Sequence, residues 1–253
     1  MIKSNNAIAK DEFMTSNYVY QETIVEKSGN GYLVTPVDTH LEFQTGLKVA
    51  KTGLLLVGWG GNNGSTLTAA LTANKHNLSW NTKEGTKVAN YFGSLTMAST
   101  TRLGVDSQGK EVYVPFSALL PMVHPNDLVI SGWDINSADL CQAMQRAQVL
   151  DWDLQEKLKD KLKEYKPLKS IYYPDFIAAN QNHRADNLKE GMDKSLHLEE
   201  IRADIRFDML YLIARAFKLK HELDKVIVLW TANTERYADV RHLLLILDNS
   251  RRE

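Results

Sequence analysis

The hydrophobic pattern changes character at residue 58. Leu54-Leu55-Leu56-Val57 is an unbroken apolar run. It stops at Gly58-Trp59-Gly60-Gly61-Asn62-Asn63-Gly64, and helix-compatible sequence follows at once. This order predicts a strand over 53–57, a tight turn, and a helix over 63–74 with Leu67, Ala70 and Leu71 on one face. Leu128-Val129-Ile130-Ser131-Gly132-Trp133-Asp134 and Val226-Ile227-Val228-Leu229-Trp230 read as further strands. The second of these has the unbroken apolar run of a parallel strand covered on both faces. Residues 170–173 add a strand that stops at Pro174, and Leu78-Ser79-Trp80 a short one. Helical spacing recurs at 140–150 (Leu140, Met144, Ala147, Leu150), at 154–165 and at 198–223. Strands alternating with helices imply an α/β fold with a doubly wound, mainly parallel sheet.

Upstream the period is two. Tyr18, Tyr20 and Thr23-Ile24-Val25 form one strand, Gly29-Asn30-Gly31 a turn, Tyr32-Leu33-Val34-Thr35-Pro36 a second strand and His40-Leu41-Glu42-Phe43 a third. Residues 17–50 are thus a β appendage, preceded by a polar segment, 1–16, expected to be disordered. Residues 105–114 read as a surface hairpin. The hydroxyl-rich stretch 90–101 suits a binding loop or a solvated connection.

The polar residues after the strands carry the chemistry. Four glycines in the seven residues 58–64 leave main-chain amides uncovered by Cβ atoms. The helix that follows adds its own first amides, so a dinucleotide pyrophosphate can approach closely. Ser65 and Thr66 offer hydroxyl donors. The spacing is a variant of G-x-G-x-x-G: Gly58 and Gly60 fit, the third position is Asn63, and Gly64 comes one residue later. The other reading is a glycine-rich turn serving chain geometry alone. No lysine precedes Ser65-Thr66, which argues against a nucleoside triphosphate loop.

Asp134 closes its strand on the side where open parallel sheets bind ligands, and is the candidate carboxylate for a cofactor. A turn or N-cap aspartate is the alternative. Thr231-Ala232-Asn233-Thr234-Glu235 follows the last strand in the same way. Three such clusters, 58–66, 134–137 and 231–235, are what one cleft along the top of a doubly wound sheet needs. Dinucleotide folds place a ribose-binding acid about 20 residues past the glycines. Trp80-Asn81-Thr82-Lys83-Glu84 offers none at a clear strand end, which argues against an ordinary dehydrogenase.

Composition narrows the class without adding a site. Of 253 residues, 43% are hydrophobic and 24% charged, the balance of a soluble globular protein. The formal net charge is -1, so no basic excess points to nucleic acid. Cys141, the single cysteine, lies in a helical pattern and reads as a small buried apolar residue. The histidines show no metal-ligand spacing, so no protein-built metal site is expected. No apolar run reaches membrane-span length and the N-terminus lacks a signal-peptide core. A cytoplasmic protein with no membrane partner is expected.

Longer blocks resemble one family. Residues 57–67, Asn90-Tyr91-Phe92-Gly93-Ser94, Leu120-Pro121-Met122-Val123, Pro125-Asn126-Asp127, Gly132-Trp133-Asp134-Ile135, 143–150, 174–181 and 223–236 are similar to inositol-3-phosphate synthase (myo-inositol-1-phosphate synthase). The resemblance implies a Rossmann-like domain over 51–240 that binds NAD. It also implies conversion of D-glucose 6-phosphate to 1D-myo-inositol 3-phosphate, in inositol and phospholipid biosynthesis. In this family NAD is recycled: a carbon of the open-chain sugar phosphate is oxidised, an intramolecular aldol closes the ring, and the same hydride is returned. By motif match, cofactor contacts carry over to Gly58, Gly60, Gly61, Asn62, Asn63, Asp134, Ser170, Ile171, Gln181, Arg184, Thr231, Ala232, Asn233 and Thr234. A homo-oligomer, tetrameric in the family, is implied as well.

Past Tyr237 the family pattern leads into a Pro-Gly-rich segment, a catalytic and tetramerisation domain, and a return to the first domain. Here residues 241–253 diverge. The family's catalytic lysines belong to that further part, and none maps onto this sequence. A non-catalytic NAD-binding module that co-assembles with full-length subunits and dampens them is the alternative reading. The 253 residues alone are expected to form no inositol phosphate from glucose 6-phosphate and NAD, since oxyanion donors dominate such chemistry. Product formed by the purified chain would contradict this.

Overall fold

The computed structural model describes residues 6–10, 12–170, 172, 181–189 and 212–232. The chain divides into two compact units, residues 1–49 with 99–122, and residues 50–98 with 123–253. In chain order the strands are β1 (Ala7–Lys10), β2 (Phe13–Ser28), β3 (Gly31–Gly46), β4 (Thr52–Val57), β5 (Ser79–Thr82), β6 (Gly85–Val88), β7 (Thr100–Val105), β8 (Glu111–Pro115), β9 (Val129–Asp134), β10 (Leu168–Lys169) and β11 (Lys225–Trp230). The helices are α1 (Asn62–Lys75), α2 (Leu95–Ala98), α3 (Phe116–Leu119), α4 (Leu140–Ala147), α5 (Trp152–Leu162) and α6 (Leu212–Lys220).

The first unit is antiparallel. β2 and β3 pair along their whole lengths, from Phe13↔Gly46 to Ser28↔Gly31, and β1 lies on the other edge of β2. Gly29, at φ 56°, turns the chain where the sequence predicts. The short strands read at 32–36 and 40–43 are one strand, because Val37, Asp38 and Thr39 keep pairing with Glu22, Gln21 and Tyr20. β1 falls in the segment expected to be disordered and is held by pairing with Phe13–Ser16. Register puts Tyr18, Tyr20, Ile24, Leu33, Leu41 and Phe43 on one face, each 40–54% exposed. β7 and β8 form the hairpin predicted around 105–114.

The second unit holds a parallel sheet in the order β10-β9-β4-β11. Numbered by appearance within the sheet this is 3-2-1-4, the doubly wound order, in which connections leave the first strand in opposite directions. Alternation along β4 feeds both faces. Leu54 and Leu56 join Trp59, Ala69, Leu140, Met144, Leu154, Leu158 and Leu162 on the side of α1, α4 and α5. Leu55 and Val57 join Trp133, Ala214, Phe217 and Leu223 on the side of α6. Every β4 residue is buried, which is why the run carries no charge. β11 departs from the expected two-sided cover. Val226 and Val228 pack inward, while Ile227, Leu229 and Trp230 are 41–54% exposed. Among the described residues it is an edge strand of this sheet, as β10 is on the other side.

The strand read at 78–80 does not enter the sheet. β5 pairs antiparallel with β6, and the hairpin is tied to the start of α5: Trp80 Nε1 donates to Asp151 at 2.8 Å, and the Asn81 N–H to Asp153 at 2.7 Å. The sheet's second strand is β9. α4 starts on a capping box between Asp139 and Gln142. It stops at Ala147 rather than Leu150, since Gln148 turns left-handed at φ 50°. Cys141 is buried as the helical pattern implied, and burial pushes its thiol up. Of the strand read at 170–173, Ser170 follows β10 and bridges Leu188, while Ile171 and Tyr173 lie outside the described residues. Most of the helix read at 198–223 lies outside the described residues.

Two glycines in this unit are required by backbone approach. A Cβ on Gly64 would strike the Trp59 carbonyl, and one on Gly132 the Leu56 backbone of the neighbouring strand. Neither obstacle is a flexible side chain. Gly64→Ala and Gly132→Ala are therefore expected to cost about 1–3 kcal/mol each. The check is a lower urea midpoint by tryptophan fluorescence, all 5 tryptophans lying in this unit; an unchanged midpoint would contradict it.

Candidate functional site

β4, β9 and β11 end at one level. Val57 is in register with Trp133 on one side and Trp230 on the other. The Trp133 carbonyl accepts the N–H groups of Gly58 and Trp59, each at 2.9 Å. The Val57 carbonyl accepts Thr231 N–H, Ala232 N–H and the Thr231 hydroxyl, each at 2.9 Å. The turn is thereby knitted across three strands. Gly58 sits at φ 81°, and a Cβ there would come within 2.9 Å of the Ala232 backbone, so both conformation and space demand glycine. Asn63 Nδ2 reaches the Thr231 carbonyl at 3.2 Å.

α1 begins at Asn62 with no side-chain cap and no acid in its first turn. No carboxylate of its own competes for its leading amides and dipole. The packing duty of a third glycine falls on Gly64, one residue later than the usual spacing. Ser65 does not serve as a ligand donor here. It is buried, and its hydroxyl donates back to the Gly61 carbonyl at 2.8 Å. Thr68 and Thr72 make the same bond one turn back, and Thr68 also accepts the Trp59 indole N–H. These satisfied hydroxyls occupy the buried face of α1, and Ala70, expected there, is exposed.

Asp134 lies against the turn. A Cβ built on Gly60 would be 3.1 Å from its Cγ. The carboxylate is 4% exposed; Oδ1 accepts the Asn136 N–H at 3.0 Å and pairs with Arg184 Nη2 at 3.1 Å. It is a turn aspartate and a site-facing one at once. Burial pushes its carboxyl up. The N–H groups of Asn136 and Gly60 and the charges of Arg184 and Arg146 oppose that shift without cancelling it. Asp134 ends the second strand of the sheet, the position dinucleotide folds give to the ribose acid. Residues 80–84 lack that acid because they form an inserted hairpin.

The remaining predicted residues fall on a neighbouring frame. Arg184 donates from Nη1 to Gln181 Oε1 at 2.9 Å, and its Nε is buried with no hydrogen-bond partner among the described residues. Segment 181–189 is fixed by Asn187, whose Nδ2 serves the Asp134 and Leu168 carbonyls at 2.9 and 3.0 Å. Asp186 takes both the N–H and the hydroxyl of Ser137. Ser170 donates its N–H to the Asn187 carbonyl. Ile171, Asn233 and Thr234 lie outside the described residues. Sequence reasoning included Asn136 in the 134–137 cluster without a role of its own, and missed Arg146, Asp186 and Asn187. Arg146 alone sat inside a resembling block, 143–150, and a lone helical arginine reads as solvated.

Among the described residues no cluster of His, Cys, Asp or Glu could hold a metal ion, and no helix is long and apolar enough to cross a membrane. A family model described as myo-inositol-1-phosphate synthase, an NAD-binding domain model, matches residues 52–245. The chain belongs to the myo-inositol-1-phosphate synthase family. The family's domain binds NAD, in keeping with the cofactor the sequence implied. Inositol-3-phosphate synthase 1 of Bos taurus is 51% identical over 240 residues, and inositol-3-phosphate synthase of Saccharomyces cerevisiae 52% over 241. These alignments cover 95% and 91% of this chain but 41% and 44% of the relatives, so the chain spans less than half their length. The crystal structure of inositol-3-phosphate synthase from Caenorhabditis elegans superposes with a TM-score of 0.82 at 49% identity, over 93% of this chain and 45% of that one. The expected Rossmann-like α/β fold stands.

Because burial raises the Asp134 carboxyl, the folded chain holds that proton more tightly than the unfolded one. The group's contribution to stability is full below the ordinary aspartate value, about 4. It is lost as pH rises through the raised value. Unfolding midpoints measured across this window should show the wild type losing ground to Asp134→Asn as pH increases. A difference that does not vary with pH would contradict the raised value.

Proposed function

We propose that these residues are the NAD-binding portion of a cytoplasmic, homo-oligomeric inositol-3-phosphate synthase that isomerises D-glucose 6-phosphate to 1D-myo-inositol 3-phosphate. The observation that carries the reading is the contact of Asp134 with Gly60, at the strand ends of a doubly wound sheet, in a chain of this family. The fit to NAD rests on three features: an uncapped helix start, a glycine whose Cβ would crowd a buried carboxylate, and a buried arginine Nε without a partner among the described residues. In this reading Asp134 accepts the ribose hydroxyls. The amides of Asn62 and Asn63, at the start of α1, receive phosphate oxygens. Arg184 and Gln181 hold the carboxylate's orientation. Thr231 and Ala232 close the far side at the β4–β11 switch point, and Ser170 extends the β9–β10 side; Ile171, Asn233 and Thr234, outside the described residues, are assigned to the cofactor by the family resemblance alone. When bound, NAD supplies a hydride acceptor and returns the hydride, so the net change is an isomerisation. The 253 residues by themselves provide the cofactor's seat and none of the proton chemistry.

A second reading, an NAD-binding module that joins full-length subunits and dampens them, is favoured by the apolar hairpin face of the first unit. Mixing the chain with a full-length synthase and following its rate tests that reading.

Titrating the purified chain with NAD and following tryptophan fluorescence tests the first. Saturable quenching is expected, with affinity at least ~10-fold weaker in Asp134→Ala, on the scale of losing a charge-assisted hydrogen bond. No saturable signal, or equal affinities, would overturn the assignment.

A further inference from the structure

We propose that Arg146 is a positioning residue that fixes the peptide plane of the glycine turn for the pyrophosphate; this rests on the NAD reading above. Arg146 leaves the last turn of α4. Its Nη2 donates to the Gly60 carbonyl at 2.5 Å and its Nη1 to Asn136 Oδ1 at 3.3 Å. Asn136 gives its own N–H to Asp134 Oδ1 and its side-chain amide to the Arg184 carbonyl at 2.8 Å. One guanidinium thus bridges the loop after β4 and the loop after β9.

The peptide it holds is the one most in need of holding. Gly60-Gly61 has a glycine on either side, so no Cβ restricts its rotation. Its N–H already donates to the Gly58 carbonyl at 3.0 Å, and Arg146 takes its carbonyl. With both ends bonded the plane cannot rotate. A rotated plane would turn a carbonyl oxygen toward the amides that an anion requires. The guanidinium also adds a positive charge beside the helix start. Burial lowers its proton affinity; among the described residues the charged groups that face it are Arg184, which adds to that shift, and Asp134, which opposes it.

α4 does not depend on this bond. Leu140, Cys141, Ala143 and Met144 bury its inner face, and the capping box fixes its start. Arg146 is exposed as a residue, and the bond to Gly60 lies at its inner end. Removing the guanidinium should therefore loosen the turn and leave the fold.

The test uses the whole chain, with Arg146→Met and Arg146→Lys. Amide hydrogen exchange without ligand is expected to rise at least ~10-fold over residues 58–63 in Arg146→Met, with the urea midpoint unchanged, as for a local opening. NAD affinity is expected to fall at least ~10-fold, as for loss of a charged hydrogen bond. Arg146→Lys should recover part of both, because an ammonium reaches one carbonyl but cannot bridge to Asn136. Unchanged exchange over 58–63 overturns the inference whether or not NAD binds. So does a midpoint that falls in step with the exchange, which would make the residue merely structural, and so does faster exchange with unchanged NAD affinity. A wild-type chain that fails to bind NAD overturns the cofactor reading instead, and with it the pyrophosphate as the purpose of the fixed plane.

Discussion

Three backbones converge at the end of β4, and the site depends on that approach. The Trp133 carbonyl serves two amides of the turn, the Val57 carbonyl serves three donors after β11, and the helix start folds back over Trp59. None of this leaves room for Cβ atoms at Gly58, Gly64 or Gly132. The close approach buries Trp59 under α1, where its indole N–H finds the Thr68 hydroxyl. A large apolar ring beneath the turn and satisfied hydroxyls along the inner face of the helix make the first turn of α1 rigid. A rigid set of amides binds an anion without first spending entropy on ordering.

Electrostatics then give the turn a direction. Asp134 is taken out of water, which raises the free energy of its charge, and the structure returns part of that through N–H donors and Arg184. The result is a carboxylate in one orientation, its neighbours locked by Asn136, Asp186 and Asn187. Such a group can accept a hydroxyl pair with little reorganisation. The two arginines nearby hold the frame: Arg184 orients the acid, and Arg146 reaches the turn.

The two units follow different rules. The second is parallel, with β4 covered on both faces, and draws its stability from two apolar clusters. The first is antiparallel, and its main hairpin has an apolar face that stays half exposed among the described residues. An antiparallel sheet tolerates one wet face, though six large apolar side chains are an unusual choice for it. The family relatives are more than twice as long as the segment they share with this chain.

Local sequence was enough for the elements whose signal is local. Apolar runs located β4, β9 and β11, and glycine marked the turns at 29 and 58, because strand period and turn conformation act within a few residues. Asp134 could be picked from its place after a strand. Tertiary structure decided the rest. It made Asp134 the acid of the second strand, since strand order in a sheet is not strand order in the chain and an inserted hairpin intervenes. It left one face of β11 exposed, because that strand lies at the edge of the described sheet. It put Ser65 to use inside its own helix and brought Arg146 onto a carbonyl 86 residues away in sequence. A side chain's partner across such a distance is set by packing, and no period along the chain encodes it.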